Sequence, residues 1–169
     1  MQTSPFVPAW LRRAYVLTVA VLAVSGMAQM PIFKRYYIAD APGLGWLADF
    51  YFTHALHNAA AAVLLALLGY TAARWLREEH PLALTPWGWG RVAVLTAIVA
   101  TGAVRVLKNL PEVSFDPVAV MLIDWAHLGA AMLLGLLALA VRALGGAYVQ
   151  EDGTRGRGPG GVERYDHAS

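Results

Sequence analysis

Residues 53–69, THALHNAAAAVLLALLG, place two histidines, His54 and His57, at the start of a run made almost entirely of Ala and Leu. A run of this length and apolarity is typical of a helix surrounded by lipid. An imidazole in lipid is costly, and ionisable side chains at that depth commonly serve a function. The stretch therefore predicts a membrane helix with a functional histidine.

The composition of the whole chain agrees with a membrane protein. Of 169 residues, 58% are hydrophobic and 14% are charged, which is too apolar for an ordinary soluble domain. The net charge is only +2 and the basic residues form no stripe, so nucleic acid is not an expected partner. Because the chain has no cysteine, it cannot itself hold an iron–sulfur cluster.

Four stretches are long enough to cross a bilayer, which takes about 20 residues. They lie at about 10–30, 47–75, 89–110 and 118–149. None has the alternating pattern of barrel strands, so we expect an all-α, integral-membrane four-helix bundle. The first stretch is also open to interpretation as a signal peptide, since an arginine pair precedes its apolar core and small residues follow.

Lysine and arginine predict the orientation of the helices. With the N-terminus inside, nine basic residues lie on the inner side: Arg12, Arg13, Arg74, Arg77, Arg91, Arg142, Arg155, Arg157 and Arg164. Four lie on the outer side: Lys34, Arg35, Arg105 and Lys108. We therefore expect both termini in the cytoplasm, with a membrane domain at 1–150 and a flexible cytoplasmic tail at 151–169.

Three of the five histidines are predicted to lie within the membrane. His80 and His167 are expected to be ordinary solvated residues. His57 and His127 each follow the expected outer end of a helix by about 13–15 Å, which places the two imidazoles at matching depth. Two such histidines can ligate one iron from opposite faces of a porphyrin, so bis-histidine haem b is the most economical interpretation. A proton path or another metal site is the alternative.

Small residues are expected to make room for the flat macrocycle. They follow each histidine in HNAAAA and HLGAA, and Gly26 and Gly102 lie on the first and third helices. Small residues also serve plain helix packing, so they add weak support.

The sequence resembles the cytochrome b (gamma) subunits of respiratory formate dehydrogenases and nickel–iron hydrogenases, which are four-helix, two-haem, quinone-linked membrane anchors. The likeness covers about residues 12–142, in RRAYVLTVAVLAVSGMAQM, LHNAAAAVLLALLGYTAARWL, TAIVATGAV and LIDWAHLGAAMLLG. It implies that His57 and His127 are the axial ligands of the outer haem. The Leu before His57 and the distance from His57 to Arg74 favour His57 over His54 as the ligand.

Both ligands of the family's inner haem are missing. Tyr15 stands where the helix-one histidine is expected, and Val141 stands fourteen residues after His127, about 21 Å deeper. The resemblance therefore implies a one-haem variant that keeps only the outer haem. Because the family's quinone site lies beside the inner haem, electrons are expected to stay on the outer side, or to pass to another membrane subunit.

Several residues near the expected haem are candidates for further roles. His54 and Asp124 each precede a ligand by three residues, so each shares its helix face and is a candidate to accept quinol protons. His54 is equally a candidate for a haem propionate. Arg105, Lys34 and Arg35 are expected to contact propionates or a partner protein.

The residues together with this resemblance imply a cytochrome subunit of a respiratory oxidoreductase complex in a bacterial inner membrane. We expect it to pass electrons between a periplasmic-side iron–sulfur or c-type cytochrome subunit and menaquinone or ubiquinone. No residue pattern predicts substrate chemistry on this chain. Two alternatives stay open: a haem b anchor of the succinate or fumarate reductase type, and a haem-free membrane anchor or proton-path subunit.

Overall fold

A computed structural model describes residues 8–30, 40–77 and 83–150 of the chain. These residues form four long α-helices: α1 (Ala9–Ala28), α2 (Phe50–Arg77), α3 (Pro86–Leu107) and α4 (Pro117–Ala143). Each helix is long and apolar enough to cross a membrane. The prediction of an all-α, multi-pass membrane protein is thus confirmed, while the orientation of its termini stays a prediction. The predicted tail at 151–169 lies outside the described residues.

The helices expose most of their apolar side chains. At most 17% of the most apolar stretch of any helix is buried, and for α4 the figure is zero. Such an apolar surface would be a liability in water but suits lipid, where each helix satisfies its own backbone hydrogen bonds. The core is therefore thin and consists of narrow seams between helices.

Helix starts are set by capping residues. The Asp49 carboxylate accepts a hydrogen bond from the backbone N–H of Phe52 at the start of α2, directly after a short 3₁₀ helix (Gly45–Ala48). Thr85 caps α3, and Asp116 caps α4. In both cases the residue after the cap is a proline, which has no N–H to leave unsatisfied at that position. The Asp49 cap explains why α2 begins near residue 50 rather than at 47.

The chain divides into two compact units, at Pro81 and Leu82. In the first unit α1 packs against α2, and we call this pair the first hairpin. Its seam has heptad spacing on α1, where the buried residues are Leu11, Thr18 and Ser25. On α2 the buried residues are Thr53, Ala60 and Leu64. Small and polar residues in such a seam let two helix backbones approach closely.

In the second unit α3 packs against α4, and we call this pair the second hairpin. The helix α4 ends at Ala143, before the predicted end near residue 149, because Gly145 adopts a positive φ of 63°. That conformation favours glycine and commonly ends helices. The chain then turns back along the start of α3.

The residues after α4 form a clasp on the start of α3. The N–H of Thr85 donates to the carbonyl of Tyr148, and the Thr85 hydroxyl donates to the carbonyl of Ala147 at 2.6 Å. The N–H of Gln150 donates to Ala83 at 2.8 Å, beside a single β-bridge between Leu84 and Val149. We call these contacts the C-terminal clasp.

Candidate functional site

In the first hairpin, His57 on α2 lies against the end of α1. Its Nδ1 is 3.0 Å from the hydroxyl oxygen of Ser25, which is completely buried. The Nδ1–Cε1 edge of the ring also lies against Gly26, where an added Cβ would be 3.1 Å from the His57 Cε1 atom. The hydroxyl and the glycine therefore determine where the imidazole sits.

In the second hairpin, His127 on α4 lies against α3 in the same way. Its Nδ1 is 2.9 Å from the hydroxyl oxygen of Thr101. The neighbouring Gly102 faces the ring, and a Cβ added there would lie 3.4 Å from Cε1. Each hairpin thus presents one histidine, one hydroxyl at Nδ1 and one glycine beside the Nδ1–Cε1 edge of the ring.

Each hydroxyl also bonds to its own helix. Ser25 donates to the carbonyl of Val21 at 2.6 Å, and Thr101 donates to the carbonyl of Ala97 at 2.7 Å. Both carbonyls belong to the residue four positions earlier, so the local bonding is the same in the two hairpins. We call the histidine, the hydroxyl and the glycine of one hairpin a histidine seat.

The sequence predicted the histidines and glycines but not the hydroxyls. Gly26 and Gly102 lie beside the Nδ1–Cε1 edge of the two imidazole rings, and their predicted role of making room for a macrocycle stays a prediction. Ser25 and Thr101 were missed because a lone hydroxyl in an apolar helix is typical of packing or back-bonding to the helix. The available signal was the repetition of a Ser/Thr-Gly pair on α1 and α3.

The two histidines differ in distance from the loop ends of their helices. Seven residues separate His57 from Phe50, the first residue of α2, which corresponds to about 10 Å. Ten residues separate His127 from Pro117, the first residue of α4, which corresponds to about 15 Å. The sequence-based value of 13–15 Å is therefore too large for His57, because α2 begins after the 3₁₀ helix.

His54 makes separate contacts one turn nearer the loop end of the first hairpin. Its ring stacks on Phe50, with centroids 5.7 Å apart and planes inclined by 20°. The Asn58 amide is 3.5 Å from its Nδ1, a long and weak contact. Ser25 lies at His57 and not at His54, which supports the choice of His57 as the candidate ligand.

Asp124 lies one turn from His127 and holds an ion-pair cluster. Its carboxylate is 3.1 Å from Nε of Arg105 and 3.1 Å from Nζ of Lys108. Two cations against one carboxylate leave the cluster with a net positive charge. Asp124 thus acts as an ion-pair partner in this structure, and its predicted part in quinol chemistry stays a prediction.

The remaining predicted residues divide into two groups. Lys34, Arg35 and the solvated His80 lie outside the described residues. Val141 is 5% exposed and packs beside Gly146 at the turn after α4, whereas Tyr15 is half-buried on α1. Neither residue is a histidine, and the presence of one haem stays a prediction.

The two seat histidines are of the residue type that can serve as axial ligands of a haem. Within residues 8–30, 40–77 and 83–150, no group of three or more His, Asp or Glu side chains could hold a metal ion. A haem needs only axial ligands from the protein, because the porphyrin supplies the other four. Histidines that ligate a metal usually have the other ring nitrogen hydrogen-bonded, as both histidine seats do.

The fold and the histidine seats together define an all-α membrane protein with one constrained histidine on each of two helical hairpins. Comparisons with protein-family models, with curated proteins and with solved structures find no match to this chain.

Proposed function

We propose that this chain is a b-type cytochrome subunit of a respiratory oxidoreductase complex, with His57 and His127 as the axial ligands of a single haem b. Electrons would pass between a redox partner on the periplasmic side and the quinone pool. The chain would lie in a bacterial inner membrane. It would be related to the gamma subunits of formate dehydrogenases and nickel–iron hydrogenases.

One observation carries the proposal: the same histidine seat occurs in both hairpins. Packing alone would require neither a hydroxyl at Nδ1 nor a glycine beside the ring, and it would not require both in each hairpin. Axial histidines usually have the other ring nitrogen hydrogen-bonded, and both seats provide a partner for it. The repetition supports a common task for the two histidines, which in this proposal is axial ligation of haem.

The residues around the seats have defined tasks in this proposal. Bound haem would supply a one-electron iron couple, while the protein supplies position and electrostatics. Ser25 and Thr101 hold the imidazoles, and Gly26 and Gly102 keep space for the rings. The Arg105–Asp124–Lys108 cluster lies one turn from His127, and its net positive charge favours a haem propionate or an anionic partner surface.

The test is haem content by pyridine haemochrome on protein purified in mild detergent. We expect a single haem b in the wild type and its loss in both His57→Ala and His127→Ala. His54→Ala is the matched control, because His54 is on the same helix face one turn away and should leave haem content unchanged. Variants should be compared at equal helicity, measured by far-UV circular dichroism.

Each other outcome contradicts a specific part of the proposal. Two haems per chain would mean that the interpretation of Tyr15 and Val141 is wrong and that electrons can cross the membrane. Loss of haem in His54→Ala but not in His57→Ala would mean that His54, and not His57, is the axial ligand. Absence of haem from the wild type would overturn the cytochrome assignment and favour a haem-free anchor or proton-path subunit.

A further inference from the structure

We infer that Ser25 and Thr101 are positioning residues that hold the ring proton of His57 and His127 on Nδ1, which leaves the lone pair of each imidazole on Nε2. The inference deepens the proposed function, and the part that concerns haem affinity and midpoint potential rests on that function. Its first part concerns only the haem-free protein.

The assignment of the proton follows from counting hydrogens in the first hairpin. The Ser25 hydroxyl oxygen lies 2.6 Å from the carbonyl oxygen of Val21, and an oxygen pair that close must share a hydrogen. A carbonyl has none to give, so the single hydroxyl hydrogen of Ser25 points at Val21. The contact of 3.0 Å between Ser25 and His57 then needs a hydrogen from the ring, and Nδ1 must donate it.

The second hairpin gives the same result. The Thr101 hydroxyl donates to Ala97 at 2.7 Å, and its oxygen lies 2.9 Å from Nδ1 of His127. The hydroxyl can therefore only accept from the ring, so Nδ1 of His127 also carries the proton; the backbone of Ile98 is a further hydrogen-bond partner of this histidine. A neutral imidazole protonated on Nδ1 has its acceptor lone pair on Nε2, and a metal binds that lone pair.

The arrangement also affects the properties of the imidazole as a ligand. In each seat a chain of hydrogen bonds runs from Nδ1–H through the hydroxyl to a backbone carbonyl, and linked bonds of this kind polarise one another. Partial transfer of the Nδ1 proton makes the imidazole a more basic ligand. A more basic ligand favours ferric over ferrous iron, so removing a hydroxyl should raise the midpoint potential of a haem bound there.

The variants remove one hydroxyl at a time. Ser25→Ala removes the acceptor at His57, and Thr101→Val does so at His127 while preserving the branched side chain. Ser25→Thr and Thr101→Ser keep a hydroxyl and should restore the wild-type behaviour. Thr71→Val and Thr96→Val are matched controls, because each of these threonines also donates to the carbonyl four residues earlier but contacts no histidine in a described hydrogen bond.

The first measurement is nitrogen-15 NMR of histidine rings in the haem-free protein in detergent. We expect the wild type to show two rings protonated on Nδ1. Ser25→Ala should move one of them towards the Nε2-protonated form, Thr101→Val should move the other, and the controls should move neither. Wild-type rings protonated on Nε2, or rings unaffected by either variant, would overturn the inference.

The second measurement is haem affinity and midpoint potential of the reconstituted protein. Loss of a hydrogen-bond partner behind a metal-ligating histidine typically weakens metal binding about 10–100-fold, so we expect each hydroxyl-free variant to lose at least about tenfold in haem affinity. The potential should rise, with the larger change for Ser25→Ala, because completely buried Ser25 has no nearby solvent to replace its hydroxyl.

The two proposals fail in different ways. A wild type that binds no haem but shows both rings protonated on Nδ1 would overturn the proposed cytochrome function and leave the proton assignment intact. If the wild type binds haem, and both hydroxyl-free variants bind it with the same affinity and midpoint potential, only the positioning role is overturned.

Discussion

The two hairpins share a histidine seat but differ in everything around it. At the loop end, the first hairpin has a histidine, His54, three residues before its seat histidine, whereas the second has the ion-paired Asp124. At the other end, the first hairpin has a ring contact between Trp10 and Tyr70, with centroids 5.8 Å apart. The second hairpin has the C-terminal clasp of backbone hydrogen bonds.

The difference separates what the site needs from what each hairpin needs. Hydroxyl, glycine and histidine recur although the surrounding residues do not, so the seat is the feature with a common purpose. The charged cluster and the clasp occur among the described residues of the second hairpin only, and they stabilise that hairpin by itself. Substitutions in either seat should therefore change the function that both hairpins serve, whereas substitutions outside the seats should change mainly the stability of one hairpin.

The largest effect is expected from Gly88→Ala, which breaks the clasp. Gly88 is buried on α3, and an added Cβ would collide with the backbone carbonyl of Tyr148. Backbone gives way less easily than a side chain, so we expect a loss of about 2 kcal/mol in the free energy of unfolding. The measurement is unfolding in mixed detergent micelles, followed by circular dichroism.

Gly90→Ala is the control for this clash. Its added Cβ would lie 3.9 Å from a methyl group of Leu137, an ordinary contact, so its free energy of unfolding should change by less than about 0.5 kcal/mol. Equal losses for the two variants would show that glycine on α3 matters for helix packing in general and that the clasp contributes nothing.

Substitution of the seat glycines would sharpen the comparison between the hairpins. Gly26→Ala puts a Cβ 3.1 Å from the His57 ring, whereas Gly102→Ala puts one 3.4 Å from the His127 ring. The tighter contact should cost about 1.5 kcal/mol, or about tenfold in haem affinity, and the looser one about threefold or less. Haem titration of the haem-free variants measures both.

The outcome that would contradict this prediction is a larger loss for Gly102→Ala than for Gly26→Ala. Gly69→Ala, on α2 with nothing within 4 Å of the added Cβ, controls for the general effect of alanine on a helix. If the protein binds no haem, the free energies of unfolding should still follow the same order.

Much of the fold was predictable because lipid restricts the choice of structure. Apolar length alone identified four helices, and the predicted ends differ most where local chemistry intervenes. Asp49 starts α2 after a 3₁₀ helix, and Gly145 ends α4 early. Apolar runs continue through both points, so hydropathy could not detect either boundary.

The candidate site was predictable only in its most conspicuous residues. His57 and His127 are unusual in apolar helices, which made them visible. The hydroxyls precede their histidines by 32 and 26 residues, and nothing in the sequence states that these segments meet side by side. The pairing of Asp124 with Arg105 and Lys108 likewise depends on the packing of α3 against α4.

The smallest change in the free energy of unfolding is expected from substitutions three residues before each seat histidine, where the two hairpins differ. Asp124→Asn removes both ion pairs and leaves Lys108, whose side chain is 18% exposed, without a carboxylate. Since Asp124 itself is about one-third exposed, we expect a loss of about 1 kcal/mol in the free energy of unfolding. His54→Asn, at the matching position, should lose less than about 0.5 kcal/mol because it gives up mainly a ring contact with Phe50.

Raising the salt concentration should reduce the difference in free energy of unfolding between Asp124→Asn and the wild type, because salt screens the ion pairs that the wild type makes. A difference that does not depend on salt would mean that Asp124 acts through packing rather than charge.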